Sequence, residues 1–273
     1  MLRTRVLTAV VLLALLLPAL LWSPLAWGAL TVLFVTAAAW EWTRLLGRSS
    51  AAWPMAALVA VAGIAALAWR HSAGGWPPVA LLVLAVPAAA YWLVGGPAAL
   101  ARHDARAGGV ALALLLLAAA WAALVELRDG GVALLLSAMA LVWVADVAAY
   151  FVGRSIGRRK LAPAISPGKT WEGAIGAAVV VALAGIAVAH WAPHWQTLPA
   201  LLVSRLGTVG AALVLLALAA VSVVGDLHES LVKRQAGVKD SGRTLPGHGG
   251  VLDRIDALVA VMPAALLLVL LLR

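Results

Sequence analysis

The residues best suited to chemistry lie in one stretch, residues 226–256, where acids, cations and glycines separate two apolar runs. Charge this dense is costly beside a membrane, so a functional role is favoured. Asp226 closes the first apolar run, and Asp253 and Asp256 open the second at i and i+3, on one helical face. Because Mg²⁺ prefers oxygen ligands, we predict that these three carboxylates converge on a divalent cation.

The cations of the same stretch are suited to binding phosphate. We extend the first helix to about Gln235, with Gly237 as its C-terminal stop, which places Asp226, Ser230 and Lys233 on one face. The glycine-rich segment KDSGRTLPGHGG follows and permits close approach to a ligand. The cations placed to neutralise phosphates are Lys233, Arg234, Lys239 and Arg243.

Two plainer interpretations of this stretch remain open. The charges are also compatible with a network of salt bridges at the membrane interface, although such a network needs neither repeated glycines nor paired acids. His248, in PGHGG, is either a general base or a hydrogen-bonded loop histidine.

A second polar region spans residues 146–172. Asp146 and Tyr150 share a helical face at i and i+4, and Asp146 is interpreted either as a functional acid or as a packing carboxylate bonded to Tyr150 or an arginine. The basic loop that follows fits contact with anionic lipid or with phosphate. A P-loop is excluded because Pro163 stands where its first glycine belongs. The sequence up to Glu172 predicts a helix entry with Glu172 in the first turn.

The composition places both regions in a membrane protein. The chain is 64% hydrophobic and 11% charged, with a mean hydropathy of +1.04, whereas soluble domains average about 45–50% apolar and about 25% charged residues. Without cysteine there is no disulfide framework and no thiolate metal site. The net charge of +9 reflects basic membrane loops; since no basic patch carries interleaved aromatics, no nucleic-acid partner is expected.

Apolar runs of about 20 residues predict an all-α polytopic membrane protein with about nine transmembrane helices. A cleaved signal peptide at the start is disfavoured, because no small-residue cleavage site follows the first run. The predicted spans are residues 6–22, 25–45, 53–69, 77–94, 108–126, 131–152, 173–191, 206–225 and 251–272.

Basic residues predict the orientation. With the N-terminus in the cytoplasm, sixteen of the twenty Lys and Arg residues fall on cytoplasmic segments. The polar loops 153–172 and 226–250 then face the cytoplasm. The expected location of the protein is the inner membrane of the cell. We divide the chain into N-terminal helices, 1–130, with about five spans, and a catalytic region, 131–273.

Glu41 is one of the few acids in the N-terminal part of the chain. It lies in AWEWTRL, three residues before Arg44. We interpret it as the i,i+3 salt-bridge partner of that arginine, near a membrane end.

Residues 230–256 resemble the motif of the phosphatidate cytidylyltransferases (CDP-diacylglycerol synthases). That motif has Ser, Lys-Arg, Lys-Asp, Pro-x-His-Gly-Gly and Asp-Arg-x-Asp at the spacing found here. The stretches ISPGKTWEG and ADVAAYFVGR are similar to further blocks of the family. The family usually has two lysines before Thr-Trp-Glu-Gly; Gly168 replaces the first, so this position provides no phosphate contact here.

The resemblance implies a polytopic α-helical enzyme, a homodimer, that joins CTP to phosphatidate in phospholipid biosynthesis and releases pyrophosphate. It implies Mg²⁺, with K⁺ as a second cation, on Asp226, Asp253 and Asp256, and a catalytic role for these acids and Lys233. The substrate-binding residues that it implies are Asp146, Lys169, Ser230, Arg234, Lys239, Asp240, Arg243 and His248.

The residues agree with this chemistry. A phosphomonoester with a second pKa of about 6 is largely dianionic at neutral pH, so phosphatidate needs no strong general base, and no convincing Ser/His/Asp arrangement is present. The approach of two polyanions instead calls for metal ions and Lys or Arg.

Two other functions remain as alternatives. One is a related CTP-dependent polyprenol or phytol kinase. The other is an ion-coupled transporter using Asp146 and Asp226, although a transporter is expected to hold its polar residues near mid-membrane, and here they gather toward one side.

Overall fold

The protein is a bundle of membrane-length helices. The computed structural model describes residues 2–273, apart from the side chains of residues 2, 3 and 5. The helices are α1 (Leu2–Trp22), α2 (Pro24–Leu45), α3 (Ser49–Ala73), α4 (Pro78–Ala90), a π-helical turn (Tyr91–Gly95), α5 (Gly96–Arg102), α6 (Gly109–Asp129), α7 (Val132–Ile156), α8 (Trp171–Trp191), α9 (Leu198–Gln235) and α10 (Leu252–Leu272). A short hairpin, β1 (Lys160–Ala162) and β2 (Ser166–Thr170), joins α7 to α8. The predicted all-α polytopic class is confirmed.

Each predicted span falls on one of these helices. In the described chain, eight helical segments are long and apolar enough to cross a membrane, and one of them runs without interruption from α4 through α5. The first predicted span corresponds to a shorter apolar helix within α1, Val6–Trp22. The agreement arises because a backbone without water must satisfy its hydrogen bonds internally, so long apolar runs become helices.

Helices α2 and α8 each begin at a side-chain cap. The hydroxyl of Ser23 accepts the Ala26 N–H at 3.1 Å, and that of Thr170 accepts the Gly173 N–H at 3.1 Å. These contacts satisfy donors that the first turn leaves unpaired. The predicted entry into α8 is therefore confirmed, with Glu172 in its first turn.

The predicted end of α9 is also confirmed. The helix stops at Gln235, and Gly237 adopts a left-handed φ of 72°, which glycine adopts without steric cost. At the other end, Gly207 breaks the helix with φ 69° and ψ 172°. The continuous part of α9 therefore begins after Gly207, close to the start of the predicted span 206–225. It ends at Gln235, ten residues beyond the predicted end of that span.

The loop predicted at residues 153–172 is more ordered than expected. Helix α7 continues to Ile156, and β1 and β2 pair antiparallel. Glu172 closes the base of the hairpin, accepting the Arg158 N–H at 3.0 Å and the Arg159 N–H at 3.1 Å. Sequence spacing missed the hairpin because its strands are only three and five residues long.

Helix α10 holds the bundle together. It packs on α9 and α7 from the C-terminal part of the chain, and on α2, α4 and α6 from the N-terminal part. Ala260, Met262 and Ala265 on this helix are fully buried. The N-terminal helices therefore form the walls against which the motif-bearing helix is fixed.

The polar segments meet at one end of the bundle. Gln235 Nε2 donates to the His103 carbonyl at 2.8 Å, Arg106 to the Leu45 carbonyl at 2.7 Å, and Arg234 to the hairpin carbonyl of Ile165 at 3.2 Å. These contacts join the ends of α2, α5 and α9 to the hairpin. Both predicted polar loops thus lie at the same end.

Candidate functional site

The pairing of Lys233 with Asp253 joins the two helix ends of the motif. Lys233 Nζ on α9 lies 2.7 Å from Asp253 Oδ1 on α10 and 2.5 Å from Glu229 Oε2. Both carboxylate side chains are nearly buried, at 6% and 5% exposed. The two buried carboxylates hold the Lys233 ammonium group in a fixed position between α9 and α10.

The other oxygen of Asp253 organises the glycine-rich loop. Asp253 Oδ2 accepts the N–H groups of Ser241 and Gly250, each at 2.9 Å. Gly249 has a φ of 88°, and a Cβ there would lie 2.8 Å from Asp253 Oδ2. The close backbone approach predicted for these glycines is therefore present, directed at the carboxylate of Asp253.

Glu41 does not form the salt bridge predicted with Arg44. No ion pair joins them among the residues that the structure describes, and Arg44 instead lies 4.5 Å above the ring of Trp40. Glu41 is 0% exposed, because it points into the bundle toward the glycine-rich loop. The i,i+3 spacing made the pair possible on the helix surface, but the rotation of α2 turns the two side chains to different surroundings.

The carboxylate of Glu41 is an internal anchor for that loop. It accepts the hydroxyls of Ser241, at 2.9 Å, and Thr244, and the N–H groups of Val251 and Leu252 at 3.0 and 2.8 Å. The two N–H groups lie at the start of α10, where a negative charge also interacts favourably with the helix dipole.

Two glycines of the loop leave room for this carboxylate. A Cβ at Gly242 would lie 2.6 Å from Glu41 Oε1, and one at Gly250 would lie 2.5 Å from Glu41 Oε2. Any side chain at either position would displace the glutamate. The glycine repeat thus serves an internal contact as well as any ligand.

An acidic cluster lies beside this network. Lys169, from β2, forms an ion pair with Asp226, whose other oxygen accepts the Ser230 hydroxyl at 3.4 Å. Asp226 also interacts electrostatically with Asp146 and Asp256. Three acids, from α7, α9 and α10, therefore lie within electrostatic range of one another and of Lys169 from the hairpin.

The cluster faces a cavity of about 380 Å³ lined by Asp146, Lys169 and Asp226. Tyr150, also in its wall, accepts a hydrogen bond from Arg154 at 2.8 Å. The hydrogen bonds of the described residues include none between Asp146 and Tyr150. The interpretation of Asp146 as a packing carboxylate that is hydrogen-bonded to Tyr150 is therefore wrong.

The charge balance of this cluster suits a cation. Within the described part of the chain, no three acidic, histidine or cysteine side chains are already grouped to hold a metal ion. Three carboxylates nevertheless share one lysine, which leaves an excess of negative charge that a divalent cation with oxygen ligands would balance. Asp253 is engaged with Lys233 and the loop, so its metal role stays a prediction.

The remaining predicted residues lie around these two groups. Arg234 bridges the Ile165 and Val238 carbonyls at 3.2 and 3.3 Å. His248 is in a turn whose backbone carbonyl accepts Arg254 at 2.7 Å. Its side-chain Nδ1 is buried and has no hydrogen-bond partner within the described part of the chain, so both interpretations of this histidine stay predictions. Three further predicted residues, Lys239, Asp240 and Arg243, are in the wall of a second, larger cavity.

Two buried residues of α9 were missed. Glu229 stands one turn before Lys233, so the i,i+4 rule for acid–base pairs would have found it. His228 is buried among Trp42, Tyr91 and Trp92, with the Tyr91 hydroxyl 2.7 Å from its Nε2. Its partners come from α2 and the π-helical turn, so no local pattern indicates them.

Fold and site together define a polytopic membrane protein with an acidic cluster and a lysine-centred network at one end. The chain matches the model of the cytidylyltransferase family over residues 3–272, and it belongs to that family. It is 42% identical to the phosphatidate cytidylyltransferase of Pseudomonas aeruginosa over 285 residues, covering 98% of this chain and 97% of the relative.

Shorter, closer matches occur with other proteins of that name. The chain is 54% identical to the phosphatidate cytidylyltransferase of Brucella suis over 122 residues, which is 45% of this chain and 40% of the relative. It is 47% identical to that of Haemophilus influenzae over 119 residues, 44% of this chain and 39% of the relative.

Proposed function

We propose that the protein is a phosphatidate cytidylyltransferase, which transfers CMP from CTP to phosphatidate and yields CDP-diacylglycerol and pyrophosphate. The observation that carries this function is the 42% identity to a relative of that name along nearly the whole of both chains. The site is compatible with it, because cations and clustered acids meet at one end of a membrane bundle.

The reaction needs charge control more than proton transfer. An oxygen of the phosphatidate phosphate attacks the α-phosphorus of CTP, and the bond to the pyrophosphate oxygen breaks, so no hydroxyl proton has to be removed. Lys233, held between Glu229 and Asp253, and Lys169, paired with Asp226, are placed to contact the phosphates. Because carboxylates already pair with both lysines, the charge of the two polyanions would be offset mainly by the proposed divalent cation.

Mg²⁺ is proposed as the metal ion, with K⁺ as a second cation. The residues proposed to hold Mg²⁺ are Asp226 and Asp256, with Asp146 beside them and Asp253 as the further predicted ligand. When bound, the metal would screen the phosphates and stabilise the charge that develops on the leaving pyrophosphate. The excess of carboxylates over lysine in this cluster supports the proposal.

The lipid substrate is proposed to approach along α7 and α8. An apolar cavity of about 530 Å³ lies between these helices and includes Leu141 in its wall. Ala145, one turn further along the same face of α7, lines the acidic cavity. An acyl chain lying along this face would bring the headgroup to Lys169. The path places an apolar chain on apolar side chains and a phosphate near a cation.

We further propose that the site faces the cytoplasm from a cell inner membrane, and that the enzyme is a homodimer. The excess of Lys and Arg on the segments at the site end supports the orientation. CTP then reaches the site from the aqueous side and phosphatidate from the membrane. The dimer is proposed from the family resemblance alone.

The test is an assay of the purified protein in detergent with Mg²⁺, CTP and phosphatidate. We expect a CDP-lipid and pyrophosphate in equal amounts. Turnover of a polyprenol or phytol to its phosphate, with CDP as the second product and no reaction of phosphatidate, would assign the chain to the kinase alternative. Ion-coupled transport in proteoliposomes, without any turnover of nucleotide, would favour the transporter alternative.

A further inference from the structure

A second cavity of about 800 Å³ lies at the site end, between the C-terminal end of α2 and residues 236–244. Its wall includes Trp40 and Arg44 from α2, and Lys239, Asp240 and Arg243 from the glycine-rich loop. We call it the basic cavity. Its wall combines residues of the N-terminal part of the chain with residues of the motif. The sequence alone predicts that these two parts form separate regions.

The charges around the basic cavity are unbalanced. Three cations face one acid, Asp240, and none of the three forms an ion pair within the described chain. Arg44 is held over the ring of Trp40, 4.5 Å from its centroid, a contact that fixes the guanidinium without neutralising it. Three cations grouped around one cavity without acidic partners favour a polyanionic ligand.

The basic cavity is connected through Ser241 and Glu41 to the network of Lys233, Glu229 and Asp253. Ser241 lines the cavity; its N–H donates to Asp253, and its hydroxyl donates to Glu41. Glu41 lies three residues before Arg44 on α2. A ligand held by Arg44 and the loop cations would therefore lie beside the segment that positions Asp253.

We propose that the basic cavity binds the triphosphate of CTP, with Arg44 acting together with Lys239 and Arg243. The proposal rests on the proposed function and adds to it an arginine outside the motif. A triphosphate matches several unpaired cations better than a single phosphate does. The lipid phosphate is assigned instead to the acidic cavity, where Lys169 and the proposed divalent cation would meet it.

This assignment separates the two substrates. CTP enters the basic cavity from the aqueous end, and phosphatidate enters the acidic cavity along α7 and α8. The α-phosphorus lies between them, near Lys233 and Asp253. The pyrophosphate that leaves is retained by the cations of the basic cavity, so it should act as a product inhibitor that competes with CTP.

The decisive variant is Arg44→Gln, compared with Arg48→Gln as a matched control. Arg48 is an exposed arginine at the same end of the bundle and lies outside the basic cavity. In steady-state kinetics, we expect Arg44→Gln to raise the KM for CTP about tenfold or more and to weaken pyrophosphate inhibition by a similar factor. The KM for phosphatidate should not change, and Arg44→Lys should give an intermediate value.

Three results would overturn the proposal. The first is an unchanged KM for CTP in Arg44→Gln. The second is an equal rise in Arg48→Gln, which would show a general surface charge effect. The third is a rise in the KM for phosphatidate alone, which would mean that the cavity holds a lipid headgroup.

Direct binding separates this proposal from the proposed function. Pyrophosphate and CTP are titrated into the detergent-solubilised wild type and Arg44→Gln by calorimetry. If the wild type forms no CDP-lipid, the function fails, whereas weaker pyrophosphate binding in the variant still supports the basic cavity. If the wild type forms CDP-lipid but the variant binds pyrophosphate equally well, the cavity assignment alone fails.

Discussion

Glu41 Oε2 accepts the backbone N–H of Leu252 at 2.8 Å, although 211 positions separate the two residues. The contact joins α2 to the first turn of α10, the turn that carries Asp253. With Ser241, Thr244 and Val251 as its other donors, the glutamate is the point at which the N-terminal helices fix the motif. Glu41 thus acts as an N-terminal cap of α10, although it belongs to α2.

Glu41 positions the motif and is not proposed to contact substrate. Replacing its carboxylate should therefore act on the position of the loop and of Asp253. In Glu41→Gln, the amide NH₂ would face N–H and O–H donors, and each buried donor left unpaired costs about 1–3 kcal/mol. We expect a lower Tm and a kcat reduced about tenfold or more. Thermal unfolding in detergent and steady-state kinetics measure both.

The control for Glu41→Gln is Asp104→Asn, which changes an exposed acid at the same end of the bundle. It should leave both Tm and kcat near their wild-type values. Wild-type behaviour of Glu41→Gln would contradict the anchoring role, and so would equal losses in the two variants.

The glycine positions test the same contact sterically. Gly250→Ala places a methyl group 2.5 Å from Glu41 Oε2 and 2.0 Å from Ser241 Oγ, and overpacking of this kind costs about 1–3 kcal/mol. Gly168→Ala is the matched control, because a Cβ there meets nothing within 4 Å. We expect lower stability for Gly250→Ala only, measured by thermal unfolding. Equal tolerance of both changes would argue against the close packing.

The lysine network predicts a non-additive pair of substitutions. Lys233→Met leaves Glu229 and Asp253 as adjacent buried acids, and breaking a buried pair in this way costs about 3–5 kcal/mol. Adding Glu229→Gln removes one of the stranded charges, so the double variant should be more stable than Lys233→Met alone. A urea or thermal double-mutant cycle measures the coupling, and strictly additive effects would exclude it.

Substitutions of the two acids at the start of α10 test their role in catalysis separately from their role in folding. We expect Asp253→Asn or Asp256→Asn to abolish turnover while the protein still inserts and elutes as a folded species. Asp253→Asn should also lower stability, because Asp253 pairs with Lys233 and accepts two loop N–H groups. Normal activity in either variant would remove that residue from the proposed metal site.

Metal removal tests the acidic cluster directly. Activity should be lost in excess EDTA and restored by Mg²⁺, because the three carboxylates around Lys169 otherwise repel the phosphates. Replacement of K⁺ by a large organic cation should lower the rate, because that cation is too large for the proposed second site. Full activity in EDTA would exclude the proposed divalent site.

The sequence alone was sufficient for the helices and for the motif. Each predicted span coincides with a helix because apolar length and backbone satisfaction are local constraints. The stop at Gly237 and the entry at Glu172 were also predictable, since caps and left-handed glycines act within one turn. Lys233 and Asp253 meet because both lie at the ends of helices joined by one loop.

Only the tertiary structure decided the contacts between distant helices. Spacing places residues on a face of a helix, but the rotation of that helix in the bundle decides what the face meets. Glu41 was therefore assigned to Arg44, although it anchors Ser241 and Leu252. The grouping of Asp146 with Asp226, and the basic cavity beneath Arg44, depend in the same way on which helices pack together.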